Sequence, residues 1–146
     1  MDAIKSLVAT SSLKTSYLAR LNERKPQLFL NYNEESDILM LMVAPQETET
    51  VVHYVDRNVA VLYTPDDLEI VGLQIEDFES EFVPLYSSLK KTWRLRDTEI
   101  KRGNVWDLTL AVEEKKIRVA IEVVKATQPI LGHSADALEK VLEYAC

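Results

Sequence analysis

The spacing of apolar positions changes several times along the chain, and each change marks an element. Leu13, Tyr17, Leu18 and Leu21 recur at i, i+4, i+5 and i+8, one face of a helix. Ser12 suits its N-cap and Lys25-Pro26 its end, so the spacing predicts a helix at about 12–25. Two strands follow, 28–32 and 38–43, joined by the turn formers of Asn33-Glu34-Glu35-Ser36-Asp37. Residues 38–43 are apolar on both faces, which predicts a strand covered on both sides. Further strands are read at 48–54, 59–63 and 70–75, separated by Asp56-Arg57-Asn58 and Pro65-Asp66-Asp67. Gly72 inside the last of these points to a bulge or a close backbone approach.

The period then lengthens. Phe82, Leu85, Tyr86, Leu89 and Trp93 predict an amphipathic helix at about 79–93, with Ser80 as a cap and Pro84 in its first turn. Glu79 and Glu81 at its start and Lys90-Lys91 at its end suit the helix dipole. Alternation returns at Trp106, Leu108, Leu110 and Val112, and again at Ile117, Val119, Ile121 and Val123, which predicts a second hairpin at about 105–124. A helix from Asn104 is the competing reading, because Asn104 and Asp107 resemble a cap pair. Gln128-Pro129 and Gly132 read as a loop, and Ser134 as the cap of a last helix at 134–145 carrying Leu138, Val141 and Leu142. The whole reads as one α+β domain, an antiparallel meander of about six or seven strands with helices on one face.

Composition narrows the class. The chain has 146 residues, 47% hydrophobic and 28% charged, which is the balance of a globular domain with one real core. No apolar run approaches the roughly 18 residues of a membrane span. The absence of an apolar leader and the single cysteine, Cys146, are read as favouring a reducing cytoplasm. The net charge of −7 is uneven. Residues 26–89 hold one base, Arg57, against thirteen acids, a balance of −12, whereas residues 90–125 hold ten bases against six acids, a balance of +4. Such asymmetry suggests self-complementarity within the chain or between subunits, with a homodimer favoured.

Candidate chemistry is sparse. His53 and His133 are far apart with no ligand at zinc spacing, and the acidic clusters lack the Ca²⁺-loop pattern, so no metal or cofactor is expected. Three glycines leave nothing for a phosphate cradle. Lys90, Lys91, Arg94, Arg96, Lys101 and Arg102, with Trp93 and Trp106 nearby, form a basic stretch with aromatics. The acidic whole, and the acids Asp97 and Glu99 within that stretch, argue against nucleic acid as the partner. Tyr32, Tyr54, Tyr63 and Trp93 are the candidate lining of a pocket between sheet and helix.

One stretch also has a family likeness. Tyr32-Asn33-Glu34-Glu35-Ser36-Asp37-Ile38-Leu39-Met40-Leu41, then Tyr63-Thr64-Pro65-Asp66-Asp67-Leu68-Glu69-Ile70-Val71-Gly72-Leu73-Gln74-Ile75 and Glu76-Asp77-Phe78-Glu79-Ser80, resembles the small bacterial family called domain of unknown function 2283. Leu68 stands where that family usually has a turn glycine, and Phe78-Glu79-Ser80 replaces its Ala-Ser ending. The resemblance covers about residues 28–80 and implies a β-meander with a helix against it, in small partner-binding, antitoxin-like proteins with no catalytic residues to carry over. The sequence thus leads to a non-enzymatic binding or assembly module. A small-molecule binder or enzyme is the second reading, and a regulator associated with a toxin or nucleic acid the third.

Overall fold

Alternation in residues 29–76 builds a sheet. In the computed structural model, which describes residues 9–21, 27–45, 47–93, 101–107 and 113–145, seven antiparallel strands run in the order β3-β4-β5-β2-β1-β7-β6. They are β1 (Phe29–Asn33), β2 (Ile38–Met42), β3 (Val51–Tyr54), β4 (Val59–Tyr63), β5 (Ile70–Glu76), β6 (Lys101–Arg102) and β7 (Val105–Asp107). The first five carry the sheet; β6 and β7 are two and three residues long. Helices complete the α+β architecture: α1 (Ser16–Arg20), α2 (Ser87–Thr92), α3 (Glu113–Leu131) and α4 (His133–Ala145). Among the described residues no helix is long and apolar enough to cross a membrane.

Cross-strand rows define the two faces. Tyr32, Leu39, Ile75 and Val59 stand in register across β1, β2, β5 and β4, as do Leu30, Leu41, Leu73 and Val61. These rows join Ile117, Ala120 and Val124 of α3 and Leu138, Val141 and Leu142 of α4 in the main core. The opposite face carries a second cluster of Met42, Ala44, Leu62 and Val71, with Phe29, Met40, Val52 and Tyr17 half-buried around it. Both faces of β2 are therefore covered, as its two-sided apolar sequence requires. The two methionines of β2, Met40 and Met42, belong to that second cluster.

Gly72 has the role its position suggested. An added Cβ would lie 2.2 Å from the carbonyl oxygen of Leu41 on β2, well inside van der Waals contact. The β4–β5 register also slips beside it, with Leu62 opposite Gly72 but Tyr63 opposite Ile70. Val71 is the extra residue of that bulge, which explains why it joins the second face although its neighbour Gly72 already points there.

The structure corrects several expected elements. The first helix is short: a 3-10 turn at Thr10–Ser12 precedes α1, and Ser12 does not cap it. Residues 22–26 lie outside the described set. Strand β3 begins at Val51 and not at 48. The single helix expected at 79–93 is three pieces, a π-turn at Phe78–Phe82, a 3-10 turn at Val83–Leu85 and then α2. The hairpin expected at 105–124 is displaced: β6 and β7 close around Gly103-Asn104, and Glu113–Leu131 is helical. Lys116, Ile117, Val119, Ala120, Val123, Val124, Ala126 and Thr127 are buried, a broad helical stripe, while Arg118, Lys125 and Gln128 are exposed. The loop expected at 128–132 is only Gly132, at φ 53°, between α3 and α4. Its N–H donates to Gln128 C=O at 2.8 Å, and Pro129 sits in the last turn of α3.

Candidate functional site

The densest polar arrangement lies where the β1–β2 turn meets the segment after β5. Asn33 folds the turn by accepting the N–H groups of Glu35 and Ser36 on its Oδ1, at 3.0 and 3.1 Å. Asp37 closes it with φ 57°, a left-handed conformation that aspartate tolerates. Its carboxylate then faces residues 79 and 80. Oδ1 accepts the Tyr32 hydroxyl at 2.7 Å and the Glu79 N–H at 2.7 Å. Oδ2 accepts the Ser80 N–H at 3.1 Å and the Ser80 hydroxyl at 2.6 Å. Asp77, also left-handed at φ 52°, turns the chain into this contact.

Glu79 extends the network into the core. Its Oε1 lies 2.9 Å from the Tyr32 hydroxyl, and its Oε2 accepts the Trp93 indole N–H at 2.8 Å. Tyr32 and Trp93 meet edge to face at 5.4 Å, and each packs on Phe78. Burial, then the bonds to Asp37 and Glu79 and their charges, push the Tyr32 hydroxyl far above the ordinary phenol value. The hydroxyl therefore stays protonated and serves as a donor to these carboxylates. Burial opposes ionisation of Asp37, but the bonds from Ser80, Tyr32 and the Glu79 and Ser80 backbone outweigh it and hold this carboxyl below its usual value.

Carboxylates crowd the outer side of the same corner. The Tyr54 hydroxyl donates to Glu76 Oε2, and this bond, with burial, raises Tyr54 to about 12. Asp77 is raised by a hydrogen bond with Glu81, then by slight desolvation and the charges of Glu81, Asp37 and Glu76. Arg57 approaches Glu81 at 3.4 Å, with both side chains open to solvent. No group of three or more metal-ligating side chains occurs among the described residues.

A second buried carboxylate serves the fold. Glu69 is only 7% exposed and accepts the Tyr17 N–H at 2.8 Å and the Ser16 hydroxyl, so it caps α1 from the chain entering β5, which bridges to Lys14 just ahead of the helix. His53 is buried beside Tyr63, with Nε2 2.8 Å from Thr10 Oγ1, and its Nδ1 has no partner.

The four aromatics read as a pocket lining are divided. Tyr32 and Trp93 are in contact and buried. Tyr63 lies on the same sheet face but four residues along β4 from the row of Tyr32, about 13 Å at strand spacing. Tyr54 pairs with Ala60, hence the opposite face, and is 48% exposed. Of the basic stretch, Lys90 and Lys91 are exposed in the last turn of α2, the position that favours cations. Lys101 and Arg102 form β6, and Arg94 and Arg96 lie outside the described residues, as does Cys146.

Open concavities lie elsewhere. One of about 510 Å³ separates α1 from α4 and is lined by Thr15, Ala19, His133, Asp136 and Lys140 among others. Two more, of about 220 and 410 Å³, flank Leu85. The sequence placed Leu85 on a buried helical stripe; the change from π-turn to 3-10 turn rotates it outward, where it is 73% exposed. Comparisons of the chain with family models, with curated proteins and with solved structures return no match.

Proposed function

We propose that this protein is a non-enzymatic binding or assembly module that works in the cytoplasm through its surface and favours a homodimer. The observation carrying this reading is where its polar chemistry is spent. Asp37, Glu79 and Glu69 each accept hydrogen bonds that hold one segment of the chain to another. The rest of the charge is unevenly divided along the chain: residues 26–89 hold thirteen acids to one base, with Glu34, Glu35, Asp56, Asp66, Asp67 and Glu81 exposed, and residues 90–125 hold a basic excess, with Lys90, Lys91, Arg118 and Lys125 exposed. A second copy can pair those surfaces. Static light scattering at about 0.05 and 0.5 M salt tests this, since exposed charges more than a Debye length apart are screened at the higher value. Dimer at low salt that dissociates at high salt supports assembly, and a monomer at both counts against it.

The likeness of residues 28–80 to domain of unknown function 2283 belongs to the same reading. Two geometric facts support it. Leu68, standing at the family's turn glycine, has φ 59°, a conformation that favours glycine. The tyrosine, aspartate and serine of the quoted motif, Tyr32, Asp37 and Ser80, meet in one network. That role is architectural, which agrees with a motif that carries no activity.

A further inference from the structure

Leu85 stands out because it is 73% exposed on a protein whose other large aliphatic side chains among the described residues are buried or half-buried. A single exposed leucine is ordinary. This one is a ridge with a concavity on each side. The smaller groove, about 220 Å³, is built where three elements converge: the β3–β4 turn, the π-turn and the C-terminal end of α3. Val59 and Phe82 form its buried floor, and Tyr86, its ring tilted against Phe82 with centroids 4.8 Å apart, and Ile130 form half-buried walls. The larger groove runs on past Tyr86 to Ala126 and is about 410 Å³. A convex apolar side chain between two concavities suits an extended segment lying across it, better than one compact small molecule.

The larger groove carries one acid and one base, Glu122 and Lys125, so the rim of the smaller one supplies the sign. Asp56, Arg57 and Glu81 border the small groove, and among the described residues the Arg57 guanidinium meets Glu81, at 3.4 Å. Behind them Asp77, Glu76 and Asp37 add negative charge. An exposed pair such as Arg57–Glu81 is weak and readily exchanged for another cation. We infer that the Leu85 ridge is a docking surface for a peptide segment of a protein partner that presents an aliphatic or aromatic side chain flanked by lysine or arginine. The apolar side chain fills the groove beside Val59 and Phe82, and the flanking bases meet Asp56 and Glu81. This rests on the binding-module reading and names the chemistry of its partner.

The test is a selection of 12-residue peptides from a random displayed library on the full chain, counter-selected on Leu85→Glu. Leu85 and Asp56 are both exposed, and circular dichroism melts verify that Leu85→Glu and Asp56→Lys remain folded. The expected peptides lose at least tenfold in affinity on Leu85→Glu and on Asp56→Lys, weaken with salt, and carry a basic-apolar-basic pattern. The inference is overturned if no peptide distinguishes wild type from Leu85→Glu. It is equally overturned if the distinguishing peptides show no excess of lysine or arginine and are indifferent to Asp56→Lys. Light scattering separates the two readings: a salt-sensitive dimer that selects no such peptide keeps assembly and loses the docking surface, and a constant monomer that selects them does the reverse.

Discussion

Asp37→Asn isolates what one carboxylate contributes. Asparagine tolerates the left-handed backbone that Asp37 adopts, so the turn survives and only the acceptor set changes. The native oxygens accept four bonds, two each. The amide has one accepting oxygen, so its NH₂ must face one pair of donors. If it faces Ser80, the hydroxyl can rotate and accept, but the Ser80 N–H is left opposed. If it faces the other side, Tyr32 can turn its proton to Glu79, but the Glu79 N–H is left opposed. Either way one backbone donor loses its partner, at about 1–3 kcal/mol, and the surviving bonds lose their charge-assisted strength. Discounting for partial exposure, the expected loss is about 2–3 kcal/mol at pH 7, read from urea unfolding followed by tryptophan fluorescence. The sign with pH is fixed. The folded carboxyl lies below its unfolded value near 3.8, so the native state binds fewer protons there. Its stabilisation is complete above that value and is lost as pH falls through the folded one. The gap between wild type and Asp37→Asn must therefore shrink as pH falls below that unfolded value. A cost under about 0.5 kcal/mol at pH 7, within the range of ordinary surface changes, or a gap unchanged at low pH, would refute the role given to Asp37.

Three further substitutions test the frame around it. Gly72→Ala places a methyl against the Leu41 carbonyl, which only backbone movement of β2 or β5 can relieve, and should cost about 3 kcal/mol or more in the same assay; a wild-type midpoint would contradict the close approach. At Leu68, φ 59° inverts the usual ranking by size: Leu68→Gly should stay within about 1 kcal/mol of wild type, and Leu68→Val, β-branched at positive φ, should be the less stable of the two by melting temperature. Glu69→Leu strips the cap from α1 and leaves the Tyr17 N–H unpaired, for a loss of about 1–3 kcal/mol and faster amide exchange at Tyr17; unchanged exchange there would mean that the carboxylate is not the cap.

The meander was legible because residues 29–76 alternate and their turns are spelled in Asn, Asp and Pro, so period and punctuation agree. The region after 104 was not, because Ile117, Val119, Ile121 and Val123 satisfy a period of two and are β-branched. They also satisfy a helix once Ala120, Val124 and Thr127 are counted with them. Ile121 separates the readings, since a one-faced hairpin buries it and the helix leaves it half-exposed. Leu85 misled in the opposite way: its spacing is helical, but the chain there is not one continuous helix. The hydrogen-bonded corner was out of reach for another reason. Asp37 and Ser80 are 43 residues apart, and Glu69 and Tyr17 are 52, so no local pattern signals either pair. The clustered acids were visible, but their use as acceptors for distant backbone was not.

Strand order carries a consequence for how the chain reaches this state. β1–β2 and β3–β4–β5 are each closed by short turns and are contiguous in sequence, so each can form quickly on its own. The pairing of β2 with β5 joins them across some thirty intervening residues and bears the larger loop-closure entropy. Gly72 lies in that seam, and the bonds from Asp37 to residues 79 and 80 fasten its end. The seam is thus a kinetic joint, where the order of assembly is set by a preformed hairpin and a preformed three-stranded meander finding one register. The glycine that lets them approach and the aspartate that fastens them sit where a delay would leave two open strand edges exposed to other chains.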